Sequence, residues 1–282
     1  MKSAVLAACV LLGSLAAFGE EKSKQSCLDG GGGMHRTVRG YRVAIEGVSS
    51  QDDPENRDCR LQAKTIGGRV IFEEVDHAIE AVKEVDLDAD GSPEFVFEGY
   101  SGGAHCCWTY WFVSLGADPG LFATIENERG VSFHKIKNGR YKFRTTDGAF
   151  DYFDGLCHAC APFPNVVLRL ENRQLTDISP HFQSDYGQEI AKARSRLDNE
   201  DFDEFVTLSH YDDGVKAKYG DAARDVLTIV LAYLYSGREA EAWKALAEMW
   251  PAPDQARMKK LILETRAKGV LSQLKVSQTS RP

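Results

Sequence analysis

Residues 81–100 read Ala81-Val82-Lys83-Glu84-Val85, then Asp86-Leu87-Asp88-Ala89-Asp90-Gly91-Ser92-Pro93-Glu94, then Phe95-Val96-Phe97-Glu98-Gly99-Tyr100. Three aspartates at alternate positions, a glycine, and a glutamate three places on have the spacing of a loop that wraps a calcium ion. Ca²⁺ takes about six to eight hard oxygens at ~2.3–2.6 Å, and alternate carboxylates on a tight turn converge on one point. Asp86, Asp88, Asp90 and Glu94 are the candidate side-chain ligands, and Ser92 the candidate backbone carbonyl. Gly91 stands where the chain bends hardest, often at positive φ, which glycine adopts without a Cβ clash. The flanks decide the fold. An EF-hand loop lies between helices and ends in a bidentate Glu at its twelfth position. Here the twelfth position is Phe97, inside an aromatic, β-branched run. The loop therefore joins two strands. A solvated acidic turn is the competing reading, but clustered carboxylates repel one another and a divalent cation relieves that.

Strand patterns extend on both sides, from about Arg42 to Phe182. Residues 41–48 alternate in period two, and 60–66 and 69–72 form a hairpin across Gly67-Gly68. Trp108–Val113 is a buried strand by composition, and further strands are expected at Tyr141–Thr145 and Val166–Leu170. From Ser184 the period changes to 3.6. Helices are expected at Tyr186–Leu197, Asp201–Leu208, Asp221–Tyr235, Glu239–Trp250 and Asp254–Leu274, with Asp221 as an N-cap and Gly237 as a stop. The expectation is an α+β protein. An antiparallel, blade- or meander-like β domain spans 41–182 and an α-helical bundle or hairpin domain spans 183–282. An internal echo supports meander units. Residues 97–115 and 152–170 each read as a strand, a Gly-bearing loop with cysteines and a second strand. The second copy lacks the aspartates, so one calcium site is expected.

The acidic loop, its flanking strands and the trailing Tyr-Ser-Gly-Gly-Ala-His-Cys-Cys-Trp (100–108) resemble the FG-GAP/VCBS calcium-loop repeat of integrin-like propellers and bacterial exported proteins. The resemblance covers about residues 60–182. It implies a calcium-stiffened β scaffold on a cell surface or in the periplasm. It carries the calcium role only to Asp86, Asp88, Asp90, Ser92 and Glu94. A full propeller needs several blades, whereas two at most are visible, and the helical half has no counterpart in the repeat. Leu-Tyr-Ser-Gly-Arg-Glu-Ala-Glu-Ala-Trp (234–243) resembles the turn and second helix of a tetratricopeptide hairpin, in a single copy.

Residues 1–19 read as a signal peptide. Lys2 supplies the positive end, Ala4–Ala17 the apolar stretch, and Ala17-Phe18-Gly19 the small residues before a cut at Glu20. Leu6-Ala7-Ala8-Cys9 imitates a lipoprotein box, but the apolar stretch continues well past Cys9. Residues 20–40 read as a flexible segment. No other stretch is apolar enough to span a membrane. The net charge of −8 comes with no basic run, which argues against nucleic acid as a partner.

Beyond Cys9 the cysteines are Cys27, Cys59, Cys106, Cys107, Cys157 and Cys160. An even set in an exported chain points to disulfides. Cys27 is expected to pair with Cys59, and the other four among themselves. His105-Cys106-Cys107 and Cys157-His158-Ala159-Cys160 also allow a zinc or copper site, or redox chemistry at Cys157 and Cys160. Pro162 and Pro164 argue against the helix that a thioredoxin-type site uses. Haem c attachment fails because residue 161 is Ala. No phosphate loop and no Gly-x-Ser-x-Gly elbow is present, and the aromatic run 108–112 reads as core. The expected function is an exported, calcium-binding, disulfide-stabilised scaffold or binding protein of the cell envelope, periplasmic or extracellular, without catalysis. Its partner is an unidentified protein or envelope component. The alternatives are an envelope enzyme, either a calcium-dependent hydrolase or a thiol oxidoreductase, and a helical interaction module on a β base.

Overall fold

The computed structural model describes Cys27 and residues 33–50, 57–103, 107–197 and 200–276. Strands run from His35 to Asp177 and helices from Gln183 onward, which is an α+β arrangement. The described strands form three antiparallel sheets, each a meander of four consecutive strands. The first holds β1 (His35–Val38), β2 (Tyr41–Ser49), β3 (Arg57–Thr65) and β4 (Val70–Asp76). The second holds β5 (Ala78–Val85), β6 (Glu94–Tyr100), β7 (Trp108–Ser114) and β8 (Gly120–Asn127). The third holds β9 (Ser132–Lys135), β10 (Tyr141–Thr146), β11 (Asn165–Glu171) and β12 (Gln174–Asp177).

The second sheet is the middle layer. Phe95, Phe97, Trp111 and Val113 pack against Val43, Ile45, Leu61, Ala63 and Phe72 of the first sheet. From its other face, Val96, Tyr110, Phe112, Ala123 and Ile125 join Phe143, Val166, Leu168 and Leu170 of the third sheet and the helices in one core. Phe72 and Trp111 lie 6.5 Å apart across the first contact, and Phe112 and Phe143 5.5 Å apart across the second. The sequences follow from this layering. A strand buried on both faces loses its alternation, as β6 and β7 do, whereas a sheet with one wet face keeps period two. On β2 and β3 the buried Val43, Ile45, Leu61 and Ala63 alternate with half-buried or exposed partners. Arg60 pairs with Glu46 at 2.9 Å on that open face.

The echo in the sequence holds in a different register. In the second and third sheets a cysteine-bearing loop links the second strand to the third, but the later first strand is β10. Tyr152–Gly155, read as a strand, lies in 3-10 turns, with Tyr152 and Asp154 at positive φ. A third meander, β1–β4, precedes the two that the pattern suggested. The segment expected to stay flexible through residue 40 joins that sheet at His35, pairing with Ala44.

The helices are α1 (Gln183–Arg196), α2 (Glu200–Val206), α3 (Asp213–Tyr235), α4 (Glu239–Met249), α5 (Gln255–Arg266) and α6 (Val270–Val276). Two boundaries differ from expectation. The N-cap of α3 is Asp212, whose side chain accepts from the Val215 N–H at 3.0 Å, and not Asp221. The early turns of α3 bury only Val215 and Tyr219, and the helix kinks at Tyr219, so the apolar period becomes legible only beyond it. The expected helix 254–274 breaks at 267–269. A Cβ on Gly269 would stand 2.1 Å from Asp147 Oδ2. Asp147 reaches in from the end of β10, accepts from Val270 N at 3.2 Å and from the Tyr235 hydroxyl at 2.6 Å, and so locks helices to sheets. Gly237 ends α3 at φ +79°, as expected. Among the described residues no helix is long and apolar enough to cross a membrane.

Candidate metal centre

The acidic loop connects β5 to β6. One carboxylate oxygen each of Asp86, Asp88 and Glu94 lies within 4.8 Å of the others. Two oxygens bound to one calcium at ~2.4 Å stand at most ~4.8 Å apart, so this spacing fits a single ion. The turn is shaped by its own carboxylates. Asp86 accepts from Asp90 N at 3.0 Å and Gly91 N at 2.9 Å, and Asp90 accepts from Ser92 N at 2.7 Å. Glu94 accepts from Leu87 N at 2.7 Å, closing the loop across its mouth. Gly91 has φ +90° and Ala89 φ +62°. The second is a left-handed conformation that costs an alanine free energy and that the surrounding loop must hold.

Glu94 is 2% exposed and Asp88 8%. Burial pushes the Glu94 carboxyl up to about 7, against the Leu87 N–H that lowers it, and Asp88, Asp90 and Asp86 push it further up. Burial, then Asp90, raises Asp88. Among the described residues no lysine, arginine or histidine enters the balance at either group. The charge is thus concentrated, partly enclosed and unmatched by a basic side chain, which is the donor set a hard dication suits.

The loop is anchored to the core. Leu87, between the first two aspartates, is fully buried among Val96, Tyr110 and Phe112. Its carbonyl accepts from Tyr141 N at 2.9 Å, at the start of β10. The loop therefore bridges the second and third sheets, and an ion there would stiffen the joint between them.

Asp86, Asp88 and Glu94 are brought together as the sequence suggested. The structure gives no convergent position to Asp90, which is exposed, and Ser92 is half-buried. Cys27 is bonded to Cys59, the expected pair, and Cys157 to Cys160. Bridges from Cys157 or Cys160 to the earlier cysteine loop are thereby excluded. Cys107 is also disulfide-bonded. Cys106, His105 and residues 1–19, where a signal peptide is expected, lie outside the described residues. The motif reading missed Asp151 and Glu128. His158 Nδ1 lies 2.8 Å from Asp151 Oδ2, and Asp151 and Glu128 face each other. The His158 spacing was visible in the cysteine motif, but nothing local marks two acids from separate loops as its neighbours. In comparison with known proteins, the chain matches no family model, no curated protein and no solved structure.

Proposed function

We propose that this chain is an exported, calcium-stabilised scaffold or binding protein of the cell envelope, whose stacked sheets are clamped by an ion at Asp86, Asp88 and Glu94. The observation that carries this reading is the convergence of these carboxylates around a buried Glu94 with no basic partner among the described residues. The loop spacing adds Asp90 and the Ser92 carbonyl as further donors, Asp90 only by turning its exposed side chain inward on binding. The likeness to FG-GAP/VCBS loops supports the same ion and a strand–loop–strand setting. Export is supported by the apolar leader at 1–19 and by paired cysteines, which persist in oxidising compartments. The helical half presents the surface for a protein or envelope partner.

Thermal melts in calcium and in chelator test the reading. A ligand that binds only the native state at about a hundred times its Kd stabilises it by about 2.7 kcal/mol. For a chain of this size that is a Tm rise of about 5–10 °C. The rise disappears in Asp88→Ala. Identical melts with and without calcium in the parent protein would end the calcium reading.

A further inference from the structure

A second constellation lies far along the chain from the acidic loop, around the Cys157–Cys160 disulfide. The two disulfides differ in kind. Cys27 and Cys59 are enclosed, at 4% and 0% exposure. Cys157 faces solvent, while Cys160 packs against the main core. The bond spans a 3-10 turn, His158–Cys160, closed by Cys160 N donating to Cys157 O at 2.8 Å. So small a ring removes little entropy from the unfolded chain, so stapling the fold is a poor account of it.

The residue between the cysteines is His158. Its Nδ1 lies 2.9 and 2.8 Å from the two oxygens of Asp151. Asp151 is enclosed, with its side chain 7% exposed. Behind it stands Glu128, whose Oε2 is buried without a hydrogen-bond partner. Burial and then the facing Asp151 raise the Glu128 carboxyl above its ordinary value. Tyr152 and Phe163 wall the imidazole at 5.9 and 5.8 Å, and the Arg129 guanidinium covers Phe163 at 3.9 Å. Cys157 and Cys160 line an open cleft of about 490 Å³ with Lys216, Lys218, Asp213 and Asp221 of α3. An exposed sulfur, a packed partner sulfur, an oriented imidazole on the residue that follows Cys157 in the chain and an adjacent open cleft make up a reactive disulfide.

We propose that Cys157 and Cys160 form a thiol–disulfide exchange site that oxidises dithiols, with Asp151 and Glu128 positioning His158 to supply the proton. A thiolate of the incoming dithiol attacks Cys157 Sγ. The Cys157–Cys160 bond breaks, a mixed disulfide forms, and Cys160 leaves as a thiolate that is protonated from His158. The second thiol of the dithiol then loses its proton and attacks the mixed disulfide, releasing Cys157. Two electrons and two protons pass to Cys157 and Cys160, and the dithiol becomes a disulfide. The site does not depend on the calcium loop.

The test uses the full, calcium-loaded chain. Graded dithiothreitol followed by alkylation and peptide mass mapping gives the reduction midpoint of each pair. Cys157 and Cys160 reduce at a concentration about tenfold or more below that for Cys27 and Cys59, with the circular dichroism unchanged. The oxidised protein converts a dithiol peptide to its disulfide about tenfold faster than a free Cys-His-Ala-Cys tetrapeptide does. Cys160→Ser, given the peptide in its disulfide form, attacks it through its free Cys157 thiolate and holds the peptide as a mixed disulfide on Cys157, the reverse of the same exchange. His158→Gln, which can still bond Asp151, slows exchange by about tenfold or more and flattens its pH profile between about 5 and 8. It leaves the melting temperature in place. Glu128→Gln moves the midpoint of that profile. Exchange no faster than the tetrapeptide, reduction only on loss of helical signal, or a His158→Gln profile matching the parent would each overturn the proposal.

Discussion

The first and second sheets are built on one plan, four strands in sequence joined by short connections, yet they hold together in different ways. The second sheet is buried on both faces. Its β6 and β7 are almost continuously apolar, and its first loop carries the acidic cluster that reaches the third sheet. The first sheet packs with one face only, keeps charged residues on the other, and carries the Cys27–Cys59 bond. A repeated backbone plan does not require a repeated source of stability. Where a layer has neighbours on both sides, burial supplies it. At the end of the stack, with one neighbour, a covalent tie contributes instead.

The largest effects should test this division directly. Phe112→Ala removes a fully buried ring from the middle layer and should cost about 3–5 kcal/mol by urea unfolding. Opening the Cys27–Cys59 bond with Cys59→Ala should cost about 2–5 kcal/mol. Limited proteolysis should then cut first within residues 35–76, while the middle sheet and helices stay protected. If the cuts fall throughout the chain at once, the two layers do not differ in the way described.

A smaller effect concerns the lock between sheets and helices. Asp147 is fully buried, and burial raises its carboxyl above the usual value. The native state therefore takes up its proton at a higher pH than the unfolded chain does. As pH falls from 7 toward 4, the native state binds more protons and stability gained at this group increases. Parent stability should rise relative to Asp147→Asn over that window, measured by paired urea melts. A difference independent of pH would mean that Asp147 acts only through its shape. The smallest effect belongs to the open face of the first sheet. Gln62→Ala should change stability by less than about 0.5 kcal/mol, because the side chain lies half-buried on the open face and its hydrogen bond goes to the side chain of Glu73. A loss as large as that of Phe112→Ala would show that this face is covered by a partner.

Much of the fold was legible because it is encoded locally. The switch from period two to period 3.6 near residue 183 marks the passage from sheets to helices, and Phe97 at the twelfth loop position excludes the helix–loop–helix alternative. What stayed hidden depends on residues distant in sequence. The break at Gly269 follows from Asp147, more than a hundred positions away, and no helical period shows it. The early start of α3 was masked because its first turns bury little. The Tyr152–Gly155 turn was mistaken for a strand because Phe153 fills the core from a 3-10 turn as readily as from a sheet, while Tyr152 beside it faces solvent.

The sequence by itself determined the strand–loop–strand setting of the acidic cluster and the spacing of its carboxylates, since each rests on near neighbours in the chain, whereas the pairing of Cys27 with Cys59, one of fifteen the six cysteines allow, is read from the structure. Only the tertiary structure decided that Glu94 is enclosed, that Leu87 anchors the loop between two sheets, and that Asp151 and Glu128 stand beside His158. Burial and charge environment are properties of the packed whole, because desolvation acts through every group that excludes water, wherever it lies along the chain.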